Sequence, residues 1–113
     1  MKKTKMLKKN YEFSNVFTKG KYFSGKKIGA FILNNPKNEN YLGIAISVKA
    51  GHAYQRNRIK RLIRENYRVH ENEINSGASI VFILKKNVNI EEIDFNMVNQ
   101  DIKEILEKAK LIG

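Results

Sequence analysis

The chain has 113 residues, a formal net charge of +11 and no cysteine. That length makes one domain with a modest core and excludes a multidomain enzyme, while the absence of thiols excludes disulfides and thiolate metal sites and suits a reducing cytoplasm. The charge implies a polyanionic partner, and no stretch is apolar enough to span a membrane or to follow the Lys2–Lys9 cluster as a secretory signal.

The positive charge is uneven. Residues 1–27 carry nine Lys against Glu12 alone, and residues 49–68 carry seven Lys or Arg against Glu65 alone. From Val69 onward the balance reverses, with five Lys against eight acids. Two basic segments would form one footprint if the fold makes them neighbours.

In chain order, Met1–Lys9 reads as a flexible basic arm with little to bury. Asn10 is placed to cap a short helix bearing Phe13, Val16 and Phe17 on one side and stopped by Gly20. Tyr22–Asn34 alternates as a strand, with Ile28, Ala30 and Ile32 on one face and Phe31 and Leu33 on the other. A polar turn, 34–40, leads to a second strand, Tyr41–Val48, so the two strands are expected to pair as an antiparallel hairpin.

A helix from about Ala53 to about Asn72 follows, then a break at Asn75-Ser76-Gly77. Ala78–Leu84 is too continuously apolar for an edge and is expected to be the central strand. Phe95–Leu111 repeats Val98, Ile102, Ile105, Leu106 and Ala109 at helical spacing and closes the core. The predicted order is helix, strand, strand, helix, strand, helix, an α+β two-layer sandwich on a small mixed sheet, with residues 1–113 expected to form a single domain.

The central helix carries the functional signal. Ile59, Leu62, Ile63 and Tyr67 form one apolar stripe, while Asn57, Lys60, Arg61, Arg64 and Arg68 fall on the opposite side. An ordinary solvated helix mixes Glu with Lys so that neighbouring pairs relieve repulsion, but Glu65 is the only acid from Arg56 to Arg68. Cations so crowded point to a nucleic-acid phosphate backbone. A membrane surface fits less well, because no helix has an insertion face of large apolar residues.

The stretch Ala45-Ile46-Ser47-Val48-Lys49-Ala50-Gly51-His52-Ala53-Tyr54-Gln55-Arg56-Asn57-Arg58-Ile59-Lys60-Arg61-Leu62-Ile63-Arg64-Glu65 resembles the signature of the bacterial ribonuclease P protein subunit. Leu7-Lys8-Lys9-Asn10, Phe13, Val16-Phe17 and Gly20 are similar to that family's N-terminal segment, so the resemblance covers nearly the whole chain. Val48 stands where the family usually has a second Lys, and Ala50 and His52 also depart from its pattern, thinning the charge near the helix entrance.

The resemblance implies a fold with an unusual left-handed crossover between parallel strands, against the general right-handed rule. It also implies a subunit that binds the catalytic ribonuclease P RNA and the single-stranded 5′ leader of precursor tRNA, in the cytoplasm. Hydrolysis would be performed by the RNA, with Mg²⁺ held mainly there and none bound by the protein alone. Arg56, Asn57, Arg58, Lys60, Arg61, Arg64 and Arg68 would contact the ribozyme RNA. Phe13, Phe17 and Phe31 would form a leader-binding cleft, with Ser47 and Lys49 beside it.

No catalytic residue is expected on the chain: His70 falls toward the apolar stripe and His52 at the turn before the helix, a poor arrangement for an acid–base pair. Size and charge alone also fit a ribosomal protein or RNA chaperone, although neither has reason to combine the basic helix with the Phe pattern. A helix-turn-helix DNA binder is disfavoured, because a hairpin rather than a second helix precedes the basic helix.

Overall fold

The computed structural model describes residues 4–75 and 77–112; Met1 to Lys3, the break residue Ser76 and Gly113 lie outside the described residues. Five strands, β1 (Thr4–Met6), β2 (Lys21–Ser24), β3 (Ile28–Asn34), β4 (Asn40–Ala45) and β5 (Ala78–Leu84), form a mixed sheet in the order β1-β4-β5-β3-β2. Three helices accompany them: α1 (Asn10–Lys19), α2 (Ala53–His70) and α3 (Phe95–Lys108). The expected α+β architecture holds, with α2 and α3 packed on one face of the sheet. α1 adds cover to part of the other.

The main core lies beneath α2 and α3. Ile59, Ile63 and Tyr67 of α2 and Val98, Ile102, Ile105 and Leu106 of α3 are fully buried against Ile28, Ala30, Leu42, Ile80 and Phe82 of the sheet. Each such side chain contributes about 1.5–3 kcal/mol. Leu62, expected in the buried stripe, is only partly buried at its edge. A smaller cluster under α1 joins Leu7 and Val16 to Val81, with Phe13 and Phe31 packed against it.

β5 is central, as its apolar run demands, and that displaces the expected hairpin. β3 pairs antiparallel with β5, and β4 pairs parallel with β5 on its other side, so β3 and β4 never meet. The polar turn between them arches over the start of β5: Asn35 N–H donates to Gly77 O at 2.8 Å, and Ala78 N–H donates to Asn40 Oδ1 at 3.0 Å. The parallel β4–α2–β5 unit places the basic helix in the crossover.

The rest of the N-terminal half also differs from expectation. Residues 4–6 are not an arm but an edge strand, parallel to β4, and Thr4 Oγ1 hydrogen-bonds Tyr67 Oη at 2.7 Å. Burial pushes the Tyr67 hydroxyl up to about 12, with the Thr4 hydrogen bond opposing it. A lysine-bearing edge strand needs only backbone pairing on one side, and its charge discourages pairing on the other. The long strand expected from Tyr22 is two strands, β2 and β3, folded back on each other with Tyr22 opposite Phe31.

Asn10 does not cap α1; it is the first helical residue, after Lys9 at the cap. The carboxylate of Glu12 instead accepts from Lys9 N–H at 2.8 Å and Lys8 N–H at 3.1 Å. Those two backbone donors, Lys9 first, hold Glu12 below the ordinary carboxylate range, so its support for the helix start is present above that range and fades as the pH falls through its folded value. β4 stops at Ala45 rather than Val48, because Ser47 Oγ accepts from Lys49 N–H at 3.2 Å and starts a 3₁₀ turn over Val48–Ala50. α3 stops at Lys108 because Lys110 takes φ 60°, bringing Leu111 N–H back to Leu106 O at 2.9 Å.

Candidate nucleic-acid interface

The basic face of α2 is built by helix periodicity and anchored at its start. His52 N–H donates to Gln55 Oε1 at 2.8 Å, and the buried stripe of Ile59, Ile63, Asn66, Tyr67 and His70 fixes the rotation of the helix. Asn57, Arg58, Arg61, Arg64 and Arg68 are exposed, and Lys60 is half-buried at the margin. Among the described residues no ion pair engages Arg58, Arg61, Arg64 or Arg68. The like charges therefore face solvent with their donors available to an anion.

Arg56 is the exception. Its position along the helix turns it toward the packed side, where Nη1 donates to Gly51 O at 2.6 Å and to Val48 O at 3.4 Å. It holds the turn that joins β4 to α2. His70 is buried, with Nε2 2.9 Å from Asn99 Oδ1, while His52 is exposed and stacked on Tyr54. Among the described residues no group of three or more His, Cys, Asp or Glu is placed to hold a metal ion.

The aromatic residues meet on the opposite face of the sheet. Phe17 of α1 packs edge-on against Phe31 of β3 with ring centroids 5.0 Å apart, and Tyr22 of β2 lies 4.9 Å from Phe31 on its other side. With Ala45, Ser47, Ile83 and Lys85 they line a cleft of about 630 Å³. Phe13 does not line this cleft. Its ring sits under α1 against Gly43, where an added Cβ would lie 2.6 Å from Phe13 Cε1 and 3.1 Å from Leu7 Cδ1. Lys49 is exposed two residues beyond the cleft wall at Ser47.

Tyr22, Lys85 and Lys86 are lining residues that the sequence reading missed. Lys85 is held at the rim: its Nζ donates to Ser24 Oγ at 2.8 Å and Gly25 O at 3.0 Å. The available signal was a Lys pair directly after an apolar strand, which puts charge at the end of a sheet where a cleft can open. Aromatic faces flanked by lysines, without a fixed pattern of base-edge donors and acceptors, suit single-stranded nucleic acid of varied sequence.

A family model described as Ribonuclease P matches residues 1–110. The ribonuclease P protein component of Clostridium kluyveri is 37% identical over 107 residues, covering 93% of this chain and 94% of the relative. That of Alkaliphilus metalliredigens is 34% identical over 113 residues, covering all of both. Among solved structures, the RNase P protein of Staphylococcus aureus superposes with a TM-score of 0.83 at 29% identity, covering 96% of this chain and 97% of that one. The RNase P protein of Thermotoga maritima gives 0.82 at 28% identity, covering 92% and 96%.

Proposed function

The chain belongs to the bacterial ribonuclease P protein family and is an RNA-binding subunit acting in the removal of 5′ leaders from tRNA, and on that premise we propose how its surfaces divide the work. The outward face of α2, with Asn57, Arg58, Lys60, Arg61, Arg64 and Arg68, docks on phosphates of the ribonuclease P RNA. Arg56 shapes the approach by holding the turn before the helix and adds its remaining donors. The cleft of Phe17, Phe31 and Tyr22 takes bases of the precursor tRNA 5′ leader, with Ser47, Lys49 and Lys85 toward its phosphates. Phe13 supports the cleft from beneath α1.

The observation that carries this reading is the placement of the two surfaces. The cationic helix lies on one side of the sheet and the aromatic cleft on the other, joined by the short Ser47–Gly51 segment. One small protein therefore holds RNA on one face while a single strand lies across the other.

Catalysis in this scheme belongs to the RNA. Mg²⁺ held there supplies water activation and stabilisation of the leaving oxygen. The chain's contribution is to position the leader and offset phosphate repulsion, raising substrate affinity and lowering the Mg²⁺ requirement. A reducing cytoplasm is the matching site of action.

Phe17→Ala tests the cleft. It removes one stacking face from an exposed position, so the holoenzyme should bind a leader-bearing precursor about tenfold more weakly while its affinity for mature tRNA stays unchanged. Equal loss for both substrates would reject the assignment.

A further inference from the structure

A second concavity of about 600 Å³ flanks α1 on the side away from the aromatic cleft. The two openings share one face of the sheet. The first lies at the Ala45 and Ile83 ends of β4 and β5, the second at their Tyr41 and Ser79 ends, with α1 crossing between them. Nothing in the assignment above uses the second.

Its walls pair aromatic rings with cations. Tyr11 is 69% exposed, and Lys9 Nζ lies over its ring at 5.9 Å from the centroid. Across the groove Lys37 Nζ lies 5.6 Å from the centroid of the Tyr41 ring, whose hydroxyl donates to Glu39 Oε2 at 3.1 Å. Lys19 adds charge to the lining, Asn15 and Asn35 add polar groups, and the one acid in it is Glu12. Both nearby carboxylates are engaged: Glu12 accepts from the backbone of Lys8 and Lys9, and Glu39 pairs with Lys5 at 3.2 Å. The groove therefore presents base-sized aromatic faces next to lysines, a combination complementary to a single-stranded polyanion and poor for a cationic ligand.

We propose that this groove is a second single-strand RNA site that binds the 5′-distal part of a long precursor leader after the strand has crossed α1. The proposal rests on the assignment of the first cleft to the leader. The crossing is short, about the 10 Å width of a helix, and the ridge of α1 between the openings carries exposed Ser14, Asn15 and Thr18, which obstruct a sugar–phosphate chain little.

The test uses the holoenzyme and two precursors that differ only in leader length, about four and about twelve nucleotides. Wild-type protein should bind the longer-leader precursor about tenfold more tightly, from stacking at Tyr11 and Tyr41 together with phosphate contacts from Lys19 and Lys37. The double variant Tyr11→Ala, Lys37→Ala removes exposed groups only, so it should erase the gain from leader length and keep wild-type affinity for the short-leader precursor. Retention of the length-dependent gain by the double variant overturns the proposal, as does equal weakening of both precursors. The Phe17→Ala variant, measured alongside, separates the two levels: loss on both precursors upholds the first cleft whatever the double variant does, and no loss on either rejects the first cleft and the second site with it.

Discussion

Replacing Arg61, Arg64 and Arg68 together with alanine is expected to lower affinity for ribonuclease P RNA by about a hundredfold. Each exposed guanidinium is worth about 1 kcal/mol or more in a charge-assisted contact, and three such losses sum to about two decades in the binding constant. The loss should be nearly uniform across RNA sequences, because phosphate contacts position without reading bases. Salt dependence gives the sharper signature. If the protein neutralises about five to eight phosphates, the wild-type slope of log K against log salt is roughly −4 to −7, and the triple variant should flatten it by about three. The fold should survive, since these side chains are solvent-facing and the stripe beneath them is untouched. Filter-binding isotherms at several salt concentrations measure both quantities. A wild-type slope near zero, or an unchanged slope in the variant, contradicts the electrostatic account.

Asp101→Ala is expected to destabilise the protein by about 3 kcal/mol, the largest single-residue effect outside the apolar core. Asp101 is 2% exposed, and its carboxylate accepts three backbone donors in succession: Lys26 N–H at 3.0 Å, Lys27 N–H at 2.7 Å and Ile28 N–H at 2.9 Å. Gly25 makes room for it, since a Cβ there would lie 2.7 Å from Asp101 Cγ. Truncation leaves the Ile28 donor buried without a partner and loosens the β2–β3 turn that it pins to α3. Asp101→Asn should recover part of the loss, because one oxygen still accepts while the amide NH₂ faces a donor. Urea unfolding should show a lower midpoint at constant slope. A change below about 1 kcal/mol for the alanine variant would contradict the clamp. The turn also carries Ser24 and Gly25, which hold Lys85 at the cleft rim, so the same variant should weaken leader binding.

What the sequence made legible follows from which interactions are local. The stripe of Ile59, Ile63 and Tyr67 and the repeat of Val98, Ile102, Ile105 and Leu106 report burial through their periodicity, and all are buried; the apolar run of β5 is buried from Ala78 to Phe82, with Ile83 and Leu84 partly open at its end. Strand order depends on partners distant in sequence, and there a local rule misled: a polar turn between two alternating strands suggested a hairpin, whereas β5 needed a partner on each edge and took the place between them. β1 escaped notice for the opposite reason. β1 is held by backbone pairing, the Thr4–Tyr67 hydrogen bond, the Lys5–Glu39 ion pair and the packing of Met6, none of which leaves a periodic pattern in three residues among lysines.

The candidate site divides in the same way. The basic face of α2 was readable from spacing, except that Arg56 lies on the packed side and is engaged by the turn it follows. The resemblance points to Phe17 and Phe31, whose rings lie 5.0 Å apart, but Tyr22 joins them only because β2 folds back on β3, and Lys85 only because it reaches across to that turn. The Asp101 clamp joins residues more than seventy positions apart, and no spacing rule reaches that far.

The most direct test of the central claim is cleavage of a leader-bearing precursor tRNA at low Mg²⁺ by a bacterial ribonuclease P RNA alone, by this protein alone, and by the two together. The account predicts efficient release of the leader only from the combination. Cleavage by the protein alone would contradict the assignment of catalysis to the RNA, and no stimulation of the RNA by the protein would contradict the subunit role itself.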